Sequence, residues 1–111
     1  MRAHTGGNLS VEQVRSIVIF GHANPTILHD SFFLPLKFFI RDELAGDIPV
    51  LYLNGDAHAW SYETEYLALD QLLRIQLTGG TSEPPLQVVV APTDDIVESN
   101  AENVFLYDRR L

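Results

Sequence analysis

The chain has 111 residues, 46% of them hydrophobic and including six Phe, four Tyr and one Trp, which suits one domain with one core and excludes both global disorder and a second domain. Fifteen acidic against seven basic side chains give a formal net charge of -8; such a surface repels a phosphate backbone, so no nucleic-acid partner is expected. Without cysteine there is no disulfide framework, thiolate metal site or Cys nucleophile, and any metal must use His, Asp, Glu or Asn.

Residues 1–9 are polar and Gly-rich and read as a flexible start, with nothing like the apolar core of a signal peptide. No apolar run approaches the roughly 18 residues of a membrane span. The chain therefore reads as soluble, with its compartment left open because a longer precursor could carry an export signal. Ser10-Val11-Glu12-Gln13 has the form of a capping box opening a short helix toward Arg15. Ser16 to Phe20 is a β-branched apolar run closed by Gly21, the pattern of a parallel strand buried on both faces.

From about Ser31 to Ala45, Phe32, Phe33, Leu36, Phe39, Ile40 and Leu44 recur at helical spacing, with Lys37, Arg41 and Asp42 toward the other side. Pro35 suits only a first turn, which moves the regular part of this helix to a start near Leu34, and Gly46 with Pro49 stops it. Its aromatics from Phe32 to Phe39 read as core. Asp30 or Ser31 reads as a cap or loop residue. Pro49 to Leu53 forms a second apolar strand, ending in the turn Asn54-Gly55-Asp56. A strand-helix-strand crossover of this kind is nearly always parallel, so both strands end on one edge of the sheet and His22 and Asp56 should approach each other.

Leu73 to Thr78 alternates apolar with polar, as expected of an antiparallel strand with one wet face. Gly79 to Pro85 is turn material, and a long-looped hairpin to a strand at Leu86 to Val90 follows. Val104 to Tyr107 adds a further strand after a polar acidic segment, Thr93 to Glu102. The expected fold is mixed α/β (α+β): one unit over residues 1–111, built as a parallel strand-helix-strand unit followed by antiparallel strands.

Side chains at the carboxyl ends of neighbouring parallel strands converge on one crevice over rigid supports. His22, Asp56 and His58 fall there and offer two imidazoles and a carboxylate, donors that Zn, Mn or Fe accept. One intervening residue lets Asp56 and His58 reach the same side of an extended segment. A histidine after a strand is also read as a hydrogen-bonded or solvated residue, and spacing leaves both readings open. His4 and His29 read as solvated or loop residues, Trp60 as either the mouth of the site or a cover over core, and Asp94, Asp95, Glu98 and Glu102 as a solvated acidic loop.

Ile17-Val18-Ile19-Phe20-Gly21-His22 and Leu51-Tyr52-Leu53-Asn54-Gly55-Asp56-Ala57-His58 together resemble the C-terminal part of the calcineurin-like metallophosphoesterase superfamily. In that family one strand ends in Gly-His and a later one in Gly-His-x-His. Asp56 stands where the commoner motif has its first His. A Gly-Asp-x-His version followed by an aromatic residue occurs in one branch, and His58-Ala59-Trp60 fits it. The run Asp70 to Gly80 and then Leu86 to Val90 looks like the strand pair that ends these domains.

The resemblance implies the C-terminal half of an αββα sandwich and, in the complete domain, a dinuclear centre of divalent ions (Zn, Mn or Fe) with His22, Asp56 and His58 among its ligands. There a hydroxide attacks a phosphoester substrate while two cations stabilise the developing charge. The family's upstream Asp-x-His, Gly-Asp-x-x-Asp and Gly-Asn-His motifs, which supply most ligands and the acid catalyst, do not precede the matched residues in this chain; Asp56-Ala57-His58 has the Asp-x-His form but reads as the later Gly-Asp-x-His. The expectation is a phosphoester hydrolase fragment, inactive alone and able to associate with a missing N-terminal half. The alternatives are a small non-catalytic α/β binding or interaction module, its His and Asp incidental, and a degenerate phosphoesterase that keeps the fold without catalysis.

Overall fold

A computed structural model of the chain describes residues 14–22, 29–55, 59–79, 83–91 and 100–111. The expected capping box, His4, Asp56, His58, Asp94, Asp95 and Glu98 lie outside the described residues. Strand β1 (Ile17–Phe20) leads through helix α1 (Asp30–Asp42) to strand β2 (Val50–Asn54). Strand β3 (Ser61–Glu63), a 3-10 turn at Tyr66–Ala68 and strand β4 (Leu72–Gln76) follow. Strand β5 (Gln87–Val90), the short helix α2 (Ala101–Val104) and strand β6 (Phe105–Asp108) complete the described chain.

The expected parallel unit is present. β1 and β2 pair parallel, with Ile17 beside Val50 and Phe20 beside Leu53, so both run toward the same edge of a four-stranded sheet of order β1-β2-β4-β3. All five residues of β2 are buried, as its unbroken apolar run requires of a strand covered on both faces. β1 is more exposed because it forms an edge of that sheet.

The strand expected to be antiparallel with one wet face corrects the sequence reading. β4 lies inside the sheet, parallel to β2 in the register Val50–Leu72 to Asn54–Gln76, and all its residues are buried. Among the described residues only β3, which the sequence reading did not include, pairs with it antiparallel. The alternation that suggested a solvated face places Arg74 and Gln76 opposite Glu63 and Ser61 of β3, where side chains rather than water satisfy them. The expected hairpin between β4 and β5 is likewise replaced: β5 pairs antiparallel with β6 in a separate two-stranded sheet.

Alternate residues of the central strands feed two cores, one on each face of the sheet, rather than the single core expected, as the period of a strand dictates. On one face Val50, Tyr52 and Leu72 pack with Phe33, Ile40 and Leu44 of the α1 region, joined by Ile17 and Ile19. On the other, Leu51, Leu53, Leu73 and Ile75 pack with Ala101, Val104 and Phe105, joined by Val88 of the second sheet. The layers are therefore helix, four-stranded sheet, and two-stranded sheet with α2. Glu102, expected in a solvated loop, belongs to α2 and is half-buried.

Helix α1 differs from expectation in two respects. It begins at Asp30, so Pro35 sits inside it, where the missing N–H removes one backbone bond to the carbonyl of Ser31. His29 occupies the N-cap position without a side-chain capping bond, and Asp30 lies in the first turn, where its charge complements the helix dipole. Of the aromatics expected as core, only Phe33 is buried; Phe32, Phe38 and Phe39 are 47%, 47% and 38% exposed. The helix is apolar on more of its circumference than the core can cover.

Candidate functional site

The site begins where the parallel strands end. The last ladder bond is the Gly21 N–H donated to the Leu53 carbonyl at 2.9 Å, so the chain carrying His22 leaves the sheet beside Asn54 and Gly55. Gly21 allows this close approach. A Cβ there would stand 2.9 Å and 3.0 Å from Cε1 and Cζ of Tyr52 and nearer still to its hydroxyl oxygen, tighter than carbon atoms tolerate. Tyr52 is held rigid by burial and by an edge-on contact with Phe33, their ring centres 5.4 Å apart.

His22 is exposed and lines a cleft of about 280 Å³ whose walls include His29, Phe33 and Tyr52. The sequence reading set His29 aside as a loop residue, yet the start of α1 delivers it to the same cleft. An adjoining cleft of about 430 Å³ opens between the sheets, lined by Val18, Phe20, Leu53 and Val90 with Asn54 and Gly55 at its polar end. Among the described residues no group of three or more His, Asp or Glu could hold a metal ion. Of the three residues expected as ligands, His22 alone is among them.

Behind the end of β2 stands a buried polar network with no counterpart in the sequence reading. Arg74, 9% exposed, donates from Nε to Oδ1 of Asn54 at 3.1 Å and from Nη2 to Oε1 of Gln76 at 2.5 Å. Its Nη1 pairs with the Glu63 carboxylate, and its guanidinium lies 5.4 Å from the centre of the Tyr66 ring. Asn54 Nδ2 also donates to Gln76 Oε1, at 3.1 Å. Gln76 Nε2 donates to the Ala59 carbonyl at 2.6 Å. Burial pushes the Tyr66 phenol above its ordinary range, and the positive charge of Arg74 offsets part of that effect. The signal available beforehand was polar residues at alternate positions of one strand, a pattern that a wet face produces equally well.

Trp60 serves as cover. It packs on the inter-sheet core, its ring centre 5.4 Å from that of Tyr107 and 4.2 Å from the Arg109 guanidinium. Arg109 in turn holds Glu83 through both carboxylate oxygens, at 3.0 Å and 3.1 Å, while Thr78 donates its hydroxyl to Glu83 at 2.8 Å. The Thr78 bond chiefly, helped by Arg109 and opposed by desolvation, holds the Glu83 carboxyl below its ordinary range.

No known protein family, curated protein or solved structure matches the chain. Among the described residues no helix is long and apolar enough to cross a membrane.

Proposed function

We propose that this chain is the C-terminal part of a metal-dependent phosphoester hydrolase of the calcineurin-like class, contributing His22, Asp56 and His58 as ligands and inactive by itself. The observation that carries the reading is the parallel pairing of β1 with β2, which brings Gly21-His22 alongside the start of Asn54-Gly55-Asp56-Ala57-His58. Two stacked sheets with β1 as an edge strand and an apolar cleft beside Phe20 and Val90 are compatible with part of a larger sandwich. The donor chemistry fits: an exposed imidazole ends β1, and the sequence places a carboxylate and a second imidazole just beyond β2.

A pair of divalent cations supplies an activated water at neutral pH and offsets charge on the phosphoryl oxygens. The residues of this chain would fix one side of that pair, with the ends of two paired parallel strands setting the separation of the ligands. The acidic balance of the sequence accords with this, since an anionic substrate then depends on cations for attraction.

The test is Zn or Mn titration of the folded chain by calorimetry against a variant combining His22→Ala, Asp56→Ala and His58→Ala. Tighter binding by the unaltered chain is expected; equal binding overturns the proposal. Metal-dependent turnover of a generic phosphate ester by the chain alone, lost in His58→Ala, would refute the claim that it is inactive in isolation. The coding sequence upstream of Met1 should carry Asp-x-His, Gly-Asp-x-x-Asp and Gly-Asn-His in that order. One observation favours the competing reading of a non-catalytic α/β binding module: Phe20 on edge strand β1 is 78% exposed, as a strand that pairs with a partner would be.

A further inference from the structure

We propose that β1 is the seam of a weak two-fold dimer, pairing antiparallel with β1 of a second copy so that the four-stranded sheet runs on from one copy into the other. The Ile17 N–H donates to the Pro49 carbonyl and the Gly21 N–H to that of Leu53, so the odd-numbered positions of β1 face β2. The backbone groups of Val18 and Phe20 therefore point the other way, and among the described residues no strand pairs with that edge. These two residues are symmetric about Ile19. With Ile19 opposite Ile19, Val18 of each copy exchanges both backbone hydrogen bonds with Phe20 of the other, and their side chains share one face.

Both layers of the fold end on this side. Tyr62 of β3 and Tyr107 of β6 have ring centres 5.2 Å apart, which puts β6 over the β3 edge and β5 over the β1 side. Val18 and Phe20 of β1 line the open apolar cleft together with Val88 and Val90 of β5. A two-fold axis normal to the sheet keeps each layer in line with its copy. It also sets Phe20, 78% exposed, beside Val18 of the other copy, at the mouth of that copy's cleft.

Charge selects a second copy as the occupant. The chain carries a net charge of -8, yet residues 14–22 and 84–91, which hold the two edges, contain no Asp or Glu. Two acidic copies can meet there without opposing like charges, whereas a basic partner would gain nothing from this seam. Edge strands are commonly blunted by Lys or Pro, and Ile17-Val18-Ile19-Phe20 has neither. At 78% exposure Phe20 leaves about 150 Å² of apolar surface in water. A seam one short strand long closes less than about 1,200 Å² in total, the size of weak, exchanging interfaces, so dimers form at roughly 10 μM and above. The pairing needs neither metal nor the proposed hydrolase half.

Sedimentation velocity of the 111-residue chain in the presence of a metal chelator, from about 1 μM to about 1 mM, should show the 12.5 kDa monomer giving way to a species of twice that mass. Phe20→Lys should weaken association at least about ten-fold. Phe20→Pro should do the same, because it removes an outward N–H and leaves the bonds to β2 in place. Phe38→Lys, at an exposed position of α1, should leave association unchanged. Amide hydrogen exchange of the unaltered chain reads the seam without any substitution. Exchange at Val18 and Phe20 should slow as concentration rises, while Ile17 and Ile19, already bonded to β2, stay constant.

A monomer throughout that range overturns the proposal, as does a dimer dissolved by Phe38→Lys and not by Phe20→Lys. Slow exchange at Val18 and Phe20 at every concentration overturns it as well, because another part of the same chain then covers the edge. Association that appears only with Zn refutes it in favour of bridging by metal.

Discussion

Arg74→Ala is the sharpest test of the buried network. Removing the guanidinium takes one charge-assisted donor each from Asn54 and Gln76 and the partner from Glu63. Bonds to charged groups contribute about 1.5 to 3 kcal/mol each, and breaking a fully buried ion pair costs about 3 to 5 kcal/mol. The lower end applies here, because the Glu63 side chain is 43% exposed and water takes up much of what Arg74 leaves. The expected loss is about 3 kcal/mol, a large part of the roughly 5 to 15 kcal/mol that holds a domain folded.

Urea unfolding followed by circular dichroism reads this directly. With a slope of about 2 kcal/mol per molar, the midpoint should fall by about 1.5 M. Glu63→Gln should cost under about 1 kcal/mol, because that end of the pair is partly solvated. Arg74→Lys should fall between the two, since an ammonium lacks the planar fork that reaches three partners. A loss under about 1 kcal/mol for Arg74→Ala, or equal losses for Arg74→Ala and Glu63→Gln, would refute the assignment of Arg74 as the centre of the network.

Three further outcomes are expected. Gly21→Ala drives a methyl group against Tyr52 and should cost about 1 to 3 kcal/mol in the same unfolding assay, with part of the loss recovered when Tyr52→Phe removes the nearest atom. Pro35→Ala restores a backbone donor inside α1 and should stabilise the chain by about 1 to 2 kcal/mol after the opposing entropy of the unfolded chain is allowed for, raising the urea midpoint by about 0.5 to 1 M. For Glu83, whose carboxyl is held below its ordinary range by Thr78 and Arg109, the sign follows from linkage: its contribution is present above the unfolded value, roughly pH 4.3, and is lost as pH falls through the lower folded value. Glu83→Gln should therefore flatten the fall in unfolding midpoint at acid pH, whereas a fall as steep as in the parent would exclude a role for this carboxylate.

The strand-helix-strand unit was legible in the sequence because its signals are local. Apolar runs closed by Gly21 and by Asn54-Gly55 mark β1 and β2, Phe33, Leu36 and Ile40 mark the inner face of α1, and crossover geometry then brings His22 toward the end of β2. The exact start of α1 was not legible, since a proline that penalises a helix interior was tolerated where packing of Phe33 and Ile40 outweighed it. Nor was the excess of apolar surface on α1 evident, because helical periodicity shows which residues share a face but not how much of the circumference a core covers.

The strand order belonged to tertiary structure alone. Alternation in Leu72–Gln76 states only that two faces differ; whether the polar face meets water or other side chains depends on Glu63 and Asn54, which arrive from different strands. The short β3, Ser61–Glu63, gave too little pattern to be read, yet it supplies the carboxylate that makes a buried Arg74 affordable. The sequence determined which residue types stand at the ends of β1 and β2. Only the folded chain decided that β4 lies beside β2 and joins Arg74 and Gln76 to Asn54 and Ala59, because hydrogen bonds across 17 to 22 residues of chain leave no periodic trace along it.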